Sequence, residues 1–98
     1  MNTVPKTAAE RARETTNYVN NLDFTQSLLE GTLLMIKEYA CKGYNSVKYH
    51  NGPIQFLAMP TYQRYPNENE IKKVIRSLKK NGFLVEGNGK SCTFQVKW

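Results

Sequence analysis

Apolar residues recur at three- and four-residue spacing along residues 24–42, and this spacing is typical of an amphipathic helix. The stripe is broad, and its members are Phe24, Leu28, Leu29, Leu33, Leu34, Met35, Ile36, Tyr39 and Ala40. Asp23 with Gln26 fits a capping box, and Gly43 stands where a helix ends. We predict a helix that lies centrally in the domain or also forms a homodimer contact. Gly31 within it either marks a close helix approach or only weakens the helix.

A second helix is predicted from Asn67 to about Gly82. Asn67 and Glu70 fit a capping box, and Gly82 follows the last periodic residue. One arc of this helix is apolar and the opposite arc is basic. The apolar arc holds Ile71, Val74, Ile75 and Leu78, and the basic arc holds Lys72, Lys73, Arg76, Lys79 and Lys80.

The N-terminal residues 1–20 predict a short polar helix with few apolar positions. Thr7 and Glu10 fit a capping box at its start. A helix with so little apolar surface is expected to be a loosely docked arm, or to become ordered against a partner.

Residues 83–98 alternate between apolar and polar positions, which is typical of a β-hairpin. Asn88 and Gly89 suit a type I′ turn, because both tolerate positive φ. Closing the hairpin there pairs Gly87 with Lys90, Val85 with Cys92 and Phe83 with Phe94. One face then carries the apolar residues Phe83, Val85, Cys92, Phe94, Val96 and Trp98, and we expect this face to pack on the helices.

The middle of the chain is less regular. Residues 46–50 predict a short strand, and Asn51 with Gly52 is a strong signal for a two-residue hairpin turn. Residues 53–59 are either the returning strand or a short helix, and residues 61–65, between two prolines, predict an exposed loop. The expected fold is a single α+β domain over residues 1–98: two N-terminal helices and one later helix on a small, mostly antiparallel sheet, ending in a helix and a wing-like hairpin.

Positive charge is concentrated in the second half of the chain. Residues 1–41 carry four Lys and Arg against five Asp and Glu, whereas residues 42–98 carry ten against three. Such asymmetry indicates either an acidic partner for the second half or a face that serves solubility. The N-terminus lacks the apolar core of a signal peptide, and no apolar run is long enough to span a bilayer. We therefore expect a soluble cytoplasmic protein whose two cysteines, Cys41 and Cys92, are reduced and mostly buried.

The residues needed for catalysis or metal binding are scarce. His50 is the only histidine and Asp23 the only aspartate, and no serine has an evident base beside it. No glycine-rich phosphate loop and no cysteine–histidine cluster occurs. We predict a non-enzymatic protein with neither cofactor nor metal.

The basic arc of the helix predicted from Asn67 to about Gly82 is the leading candidate for a binding surface. Its five positive side chains could neutralise several phosphates, and Lys90 at the hairpin tip would extend the surface. Asn67 and Asn69 are residue types that bind adenine edges, and they are equally the types that cap helices.

The run NENEIKKVIRSLKKNGFLVEGNGKSCTFQV resembles the end of a winged helix-turn-helix domain over about residues 67–97. In that family a recognition helix ends in a glycine and leads directly into a two-stranded wing. The resemblance implies that Lys72, Lys73 and Arg76 face the groove of DNA or its phosphates, and that Lys90 is a wing-tip contact.

Tyrosines form a second candidate surface in the middle of the chain, with Tyr44, Tyr49, Tyr62, Arg64 and Tyr65. Tyrosine and arginine stack on unpaired bases and also dominate protein–protein hot spots. Alternatively, Tyr44 and Tyr49 are half-buried at the sheet edge and only the 61–65 loop is exposed. Under the protein-interface alternative, Tyr62, Arg64 and Tyr65 form the contact.

Two functions follow from these surfaces. The first is a nucleic-acid-binding protein, resembling a regulator, that uses the basic helix and the hairpin tip. The alternative is a protein that binds and inhibits or modulates another protein. The small size and the ten asparagines look like accessory proteins of phages and mobile elements, among them inhibitors of host polymerases, nucleases and CRISPR effectors. A self-assembling structural subunit is a third possibility.

Overall fold

The computed structural model describes residues 7–87 and 93–98 and confirms the predicted α+β class. These described residues form three helices, with the bounds α1 Ala8–Asn21, α2 Thr25–Cys41 and α3 Glu68–Lys80. Five strands follow the order β1 Ser46–Tyr49, β2 Ile54–Phe56, β3 Met59–Arg64, β4 Leu84–Glu86 and β5 Phe94–Lys97.

Helices α1 and α3 begin where the local sequence predicts them. Thr7 caps α1 by accepting a hydrogen bond from the Glu10 N–H at 3.1 Å. At α3, Asn67 and Glu70 form the reciprocal capping box that the sequence predicts. Each side chain accepts the other residue's backbone N–H, at 2.8 and 2.9 Å. These bonds satisfy N–H groups that have no partner inside the helix, so both helices begin at a defined residue.

The start of α2 differs from the predicted capping box. The Asp23 carboxylate accepts hydrogen bonds from the backbone and the hydroxyl of Thr25, at 2.9 and 2.6 Å, and not from Gln26. This short turn is common for aspartate, because its side chain reaches the N–H two residues further on. Gln26 instead donates to Glu30 at 2.8 Å, and Phe24 before the helix is fully buried.

A three-stranded antiparallel sheet carries the core, with the strand order β1-β5-β4. Its buried residues Val47, Tyr49, Phe94 and Val96 pack with the apolar sides of α2 and α3. The helices contribute Leu28, Ile36, Ile71, Val74, Ile75 and Leu78 to the same cluster. Helix α2, with its broad apolar stripe, is therefore central, and α3 buries the apolar arc that its sequence predicts.

The prediction of a two-residue hairpin turn at Asn51 and Gly52 is wrong. Strand β1 pairs with β5, so that Val47 lies opposite Val96 and Tyr49 lies opposite Phe94. Both β1 residues become buried by this pairing. A local turn would not bury them in this way, so the long-range partner is favoured by the hydrophobic effect.

Residues 53–65 form a separate two-stranded hairpin. Residues 54–56 are a strand rather than a helix, and they pair with β3, which settles the alternative left open by the sequence. The exposed loop predicted for residues 61–65 is wrong, because residues 61–64 belong to β3. Pro60 is compatible with this strand because it lies near the start and beside a register irregularity, where a missing N–H costs little.

The register of the C-terminal hairpin also differs from the prediction. Val85 pairs with Val96 and Glu86 with Gln95, whereas a two-residue turn would pair Val85 with Cys92. The shift is an even number of residues, so the inward and outward faces are unchanged. Phe94 and Val96 are buried, and Phe83 and Val85 pack against the core. Asn88, Gly89, Lys90 and Cys92 lie outside the described residues.

Helix α1 contributes no buried residue and contacts β3 near its own C-terminal end. Tyr18 meets Tyr62 in an edge-to-face contact with ring centroids 5.5 Å apart. That α1 is a loosely docked arm stays a prediction. The expectation of buried cysteines is wrong for Cys41, which is a free and exposed thiol at the end of α2.

Candidate nucleic-acid interface

The basic face of α3, defined as Lys72, Lys73, Arg76, Lys79 and Lys80, is exposed at all five positions. The neighbouring residues 71, 74, 75 and 78 are buried in the core. A helix turns once every 3.6 residues, so this alternation separates the two sets onto opposite sides. The predicted division of α3 into an apolar and a basic arc is confirmed.

Three members of the basic face line one shallow groove. Lys72, Arg76 and Lys79 follow each other at spacings of four and three residues, and they border the groove together with Ile75 and Gly87. Gly87 directly follows β4, so the groove lies between α3 and the start of the β4–β5 connection. Cations at this spacing form a row along the helix.

The remaining two members, Lys73 and Lys80, lie on the next row of the helix. Lys73 is near Asp23 at the start of α2. Hydrogen bonds from the Thr25 hydroxyl and backbone lower the pKa of Asp23, and the charge of Lys73 lowers it further. The basic face therefore extends from the groove toward the N-terminal end of α2.

Only part of the positive charge of this face is neutralised by the residues that the structure describes. Lys72 forms an exposed ion pair with Glu68 one turn earlier, at 2.9 Å. Within residues 7–87 and 93–98, Arg76, Lys79 and Lys80 have no ion-pair partner. An exposed pair such as that of Lys72 is weak and exchanges readily with another anion. The face can therefore bind several anionic groups at once.

Gly87 determines how the chain leaves β4 at the edge of the groove. Its φ is +131°, a backbone conformation that L side chains rarely adopt. A Cβ at this position would lie 2.9 Å from the Thr93 carbonyl oxygen and 3.0 Å from the Phe94 Cβ. Sequence reasoning assigned Gly87 only to a turn, whereas the structure adds a close backbone approach to β5. The predicted wing-tip contact, Lys90, lies outside the described residues.

Asn67 is held by the capping box, with its side-chain oxygen bound to the Glu70 N–H. The capping alternative is therefore confirmed for Asn67. Asn69 is exposed on the first turn of α3.

The second predicted surface, formed by Tyr62, Arg64 and Tyr65, is not an exposed loop. The Arg64 side chain is only 13% exposed and forms a double hydrogen-bonded ion pair with Glu70, with both distances at 2.7 Å. Its guanidinium also lies over the Phe24 ring, 4.3 Å from the centroid. Tyr62 is half-buried against Tyr18, and only Tyr65 is largely exposed. Arg64 is therefore unavailable to a partner.

The ion pair of Arg64 and Glu70 joins four elements. Arg64 extends from the end of β3 and donates to the carbonyl oxygens of Val19 in α1 and Leu22 just after it, at 3.3 and 2.7 Å. Glu70 accepts the Phe24 N–H before α2 at 2.6 Å. Burial raises the pKa of Glu70, but the hydrogen bonds from Arg64, Asn67 and Phe24 outweigh it and hold the pKa below its ordinary value.

Sequence reasoning recognised Glu70 only as a capping residue and missed its partner Arg64. No local signal links residues 64 and 70 to Phe24, which is forty-six positions from Glu70 in sequence. A buried Arg beside a buried Glu becomes recognisable only when the fold brings their elements together.

Other kinds of site are sparse in the described part of the chain. His50 is exposed, and no cluster of three potential metal-binding side chains occurs among the described residues. In residues 7–87 and 93–98, no helix is long and apolar enough to cross a bilayer. Comparison of the chain with known protein families, with curated proteins and with solved structures found no match.

Proposed function

We propose that this protein binds duplex nucleic acid through the basic face of α3. The observation that carries the proposal is the row Lys72, Arg76 and Lys79, which borders a groove between α3 and the β4–β5 connection. Each lysine or arginine that meets a phosphate releases condensed counterions, and this release favours binding. Lys73 and Lys80 would widen the contact along the backbone.

The order of elements gives the proposal further support. In the winged helix-turn-helix family, a strand precedes the recognition helix and the wing follows it. Here β1 precedes α3, and β4 and β5 follow it, with β1 paired to β5 in one sheet. The β2–β3 hairpin stands where that family has another helix. We infer a wing-like arrangement in which α3 takes the role of the recognition helix.

Duplex DNA is the favoured form of the ligand. The major groove of B-form DNA is about 12 Å wide and admits an α-helix, whereas the major groove of A-form RNA is too deep and narrow for side chains to read. Four of the five cations are lysines, which act as point charges on phosphates. Arg76 is the residue of the basic face that can bind a guanine edge with two hydrogen bonds.

The test is a fluorescence anisotropy titration of a labelled DNA duplex of random sequence. Changing Lys72, Arg76 and Lys79 to Gln removes three charges from the groove and keeps good helix formers. We expect the affinity to fall by at least about tenfold. A matched control changes Arg11, Arg13 and Lys48 to Gln, because these residues are also exposed and lie outside α3.

The control variant should bind within about threefold of the wild type. Equal losses in the two variants would mean that net charge alone drives binding, and would contradict a site on α3. Absence of duplex binding by the wild-type protein at low salt would overturn the proposal outright.

The alternative function, inhibition of a partner protein through Tyr62, Arg64 and Tyr65, loses support from the burial of Arg64. The basic face could still dock on an acidic cleft of a protein, but nothing in the described residues favours that partner over DNA. The free thiol of Cys41 supports the cytoplasm, of a bacterial cell or of an infected host, as the compartment of action.

A further inference from the structure

An apolar patch lies on the side of α2 that faces away from α3. Leu34 on this side is 59% exposed, and Leu57 and Met59 at the β2–β3 turn are also largely exposed. Leu34 and Leu57 border one groove, which also contains Gly31 and Ile54. The opposite side of α2, with Leu28, Thr32 and Ile36, is already buried. The patch is therefore apolar surface that the protein's own core does not cover.

The hairpin beside this patch carries no charge before Arg64, which is buried in its ion pair with Glu70. Residues 51–63 contain no Lys, Arg, Asp or Glu, although the chain as a whole has a net charge of +6. Two molecules of that charge repel each other, and the repulsion is weakest when the facing surfaces carry no excess positive charge. Residues 51–63 and the apolar centre of the patch form such a surface, and interfaces between identical subunits are typically apolar.

The two charges that flank the patch on α2 are opposite in sign, so they would attract each other across a two-fold axis between two copies. Glu30 lies three residues before Leu33, and Lys37 lies three residues after Leu34. If a second α2 helix runs antiparallel about an axis between positions 33 and 34, Glu30 of each copy meets Lys37 of the other. Leu34 of each copy then meets the exposed part of the other copy's Leu33, whose remaining surface packs against its own core, with an ion pair on either side.

Gly31 leaves space beside this contact. A Cβ added to Gly31 would meet no atom within 4 Å, so the groove above it is open to a side chain from outside. A protruding leucine and an open groove on the same surface are what a two-fold interface requires, because each copy must supply both parts.

We propose that a second copy of this chain packs on α2 in this antiparallel, two-fold arrangement and covers Leu34. Helix α3 packs on the other side of α2, so both basic faces stay exposed in the dimer. The dimer forms without nucleic acid, and the proposal is therefore independent of the proposed DNA binding.

The first test measures mass in solution by sedimentation velocity or light scattering, from about 1 µM to about 1 mM protein. The wild type should shift from monomer toward dimer as concentration rises. Leu34→Glu would place a charge in the interface, and we expect it to raise the dissociation constant by at least about 100-fold. Leu84→Glu is the matched control, because Leu84 is 69% exposed on the edge strand β4, which packs on β5 and α3.

The second test exchanges the flanking charges. Glu30→Lys and Lys37→Glu should each weaken the dimer by about tenfold, because each places like charges together across the axis. The double variant should recover to within about threefold of the wild type. A wild type that stays monomeric at every concentration would overturn the proposal. Equal effects of Leu34→Glu and Leu84→Glu, or no recovery in the double variant, would contradict the interface described.

Discussion

Arg64 shows how strongly the environment decides what a residue does. Between two tyrosines in the sequence it has the character of a surface hot spot, yet its guanidinium is buried against Phe24 and paired with Glu70. Its five donors reach the carboxylate of Glu70 and the carbonyl oxygens of Val19, Leu22 and Tyr65. A buried charge is tolerable when its hydrogen bonds are satisfied in this way. Arg64 therefore stabilises the fold.

Arg64→Ala is expected to lower the free energy of unfolding by about 3–5 kcal/mol, because it leaves the Glu70 carboxylate buried without its cation. Lys72→Ala is the matched control, since its pair with Glu68 is exposed and contributes about 0–1 kcal/mol. Urea unfolding followed by circular dichroism measures both values. Similar losses in the two variants would contradict the buried role of Arg64.

Stability is also expected to fall in acid because of Glu70. Its pKa in the folded protein lies below the ordinary value of 4.5, so the unfolded chain takes up the proton first as the pH falls. The stabilisation is fully present above about pH 4.5 and disappears as the pH falls through the folded pKa. The depressed pKa of Asp23 acts in the same direction.

Glu70→Gln should consequently lower stability at neutral pH and make it less dependent on pH in the acid range. Urea unfolding at a series of pH values between about 2 and 7 tests this expectation. A variant with the same pH dependence as the wild type would show that Glu70 does not carry the effect.

At the scale of elements, local signals predicted the helices well, while pairing between distant strands was not predictable. The capping residues Thr7, Asn67 and Glu70 act within four residues, so their effect can be read from the sequence. The signal of Asn51 and Gly52 was equally local, but it was overridden when β1 paired with β5, more than forty residues away. Burial of Val47 and Tyr49 decides that pairing, and it depends on the complete core.

In the C-terminal hairpin, the sequence pattern predicts which side chains face the core but does not predict the strand register. The alternation of apolar and polar residues correctly predicted which faces of β4 and β5 turn inward. The same alternation does not distinguish registers that differ by an even number of residues, and so Val85 lies opposite Val96 rather than Cys92.

Two glycine substitutions are expected to have opposite effects. Gly87→Ala should destabilise the protein by about 1–3 kcal/mol, because the new Cβ would meet the Thr93 carbonyl oxygen at positive φ. Gly31→Ala should stabilise the monomer by up to about 1 kcal/mol, because it improves helix propensity and meets no neighbouring atom. Thermal unfolding at low protein concentration measures both changes. A Gly87→Ala variant with the same melting temperature as the wild type would contradict the close approach of β4 to β5.

At the scale of the whole molecule, the fold collects positive charge on one exposed helix. The sequence predicted the basic face of α3 residue by residue, because the helical period alone separates it from the core. It did not predict that Lys72, Arg76 and Lys79 would border a groove ending at Gly87, since that requires the position of β4 beside α3. The apolar side of α2 lies away from this groove, so the proposed DNA binding and the proposed self-association would use different surfaces.

The dependence of duplex DNA affinity on salt tests the central claim, that α3 contacts phosphates, most directly. The slope of log affinity against log salt concentration is about −0.9 for each phosphate neutralised. We predict a clearly negative slope for the wild type, and a slope smaller in magnitude by about 2 to 3 after Lys72, Arg76 and Lys79 are changed to Gln. A wild-type affinity that does not change with salt, or a slope that the three substitutions leave unaltered, would contradict the claim.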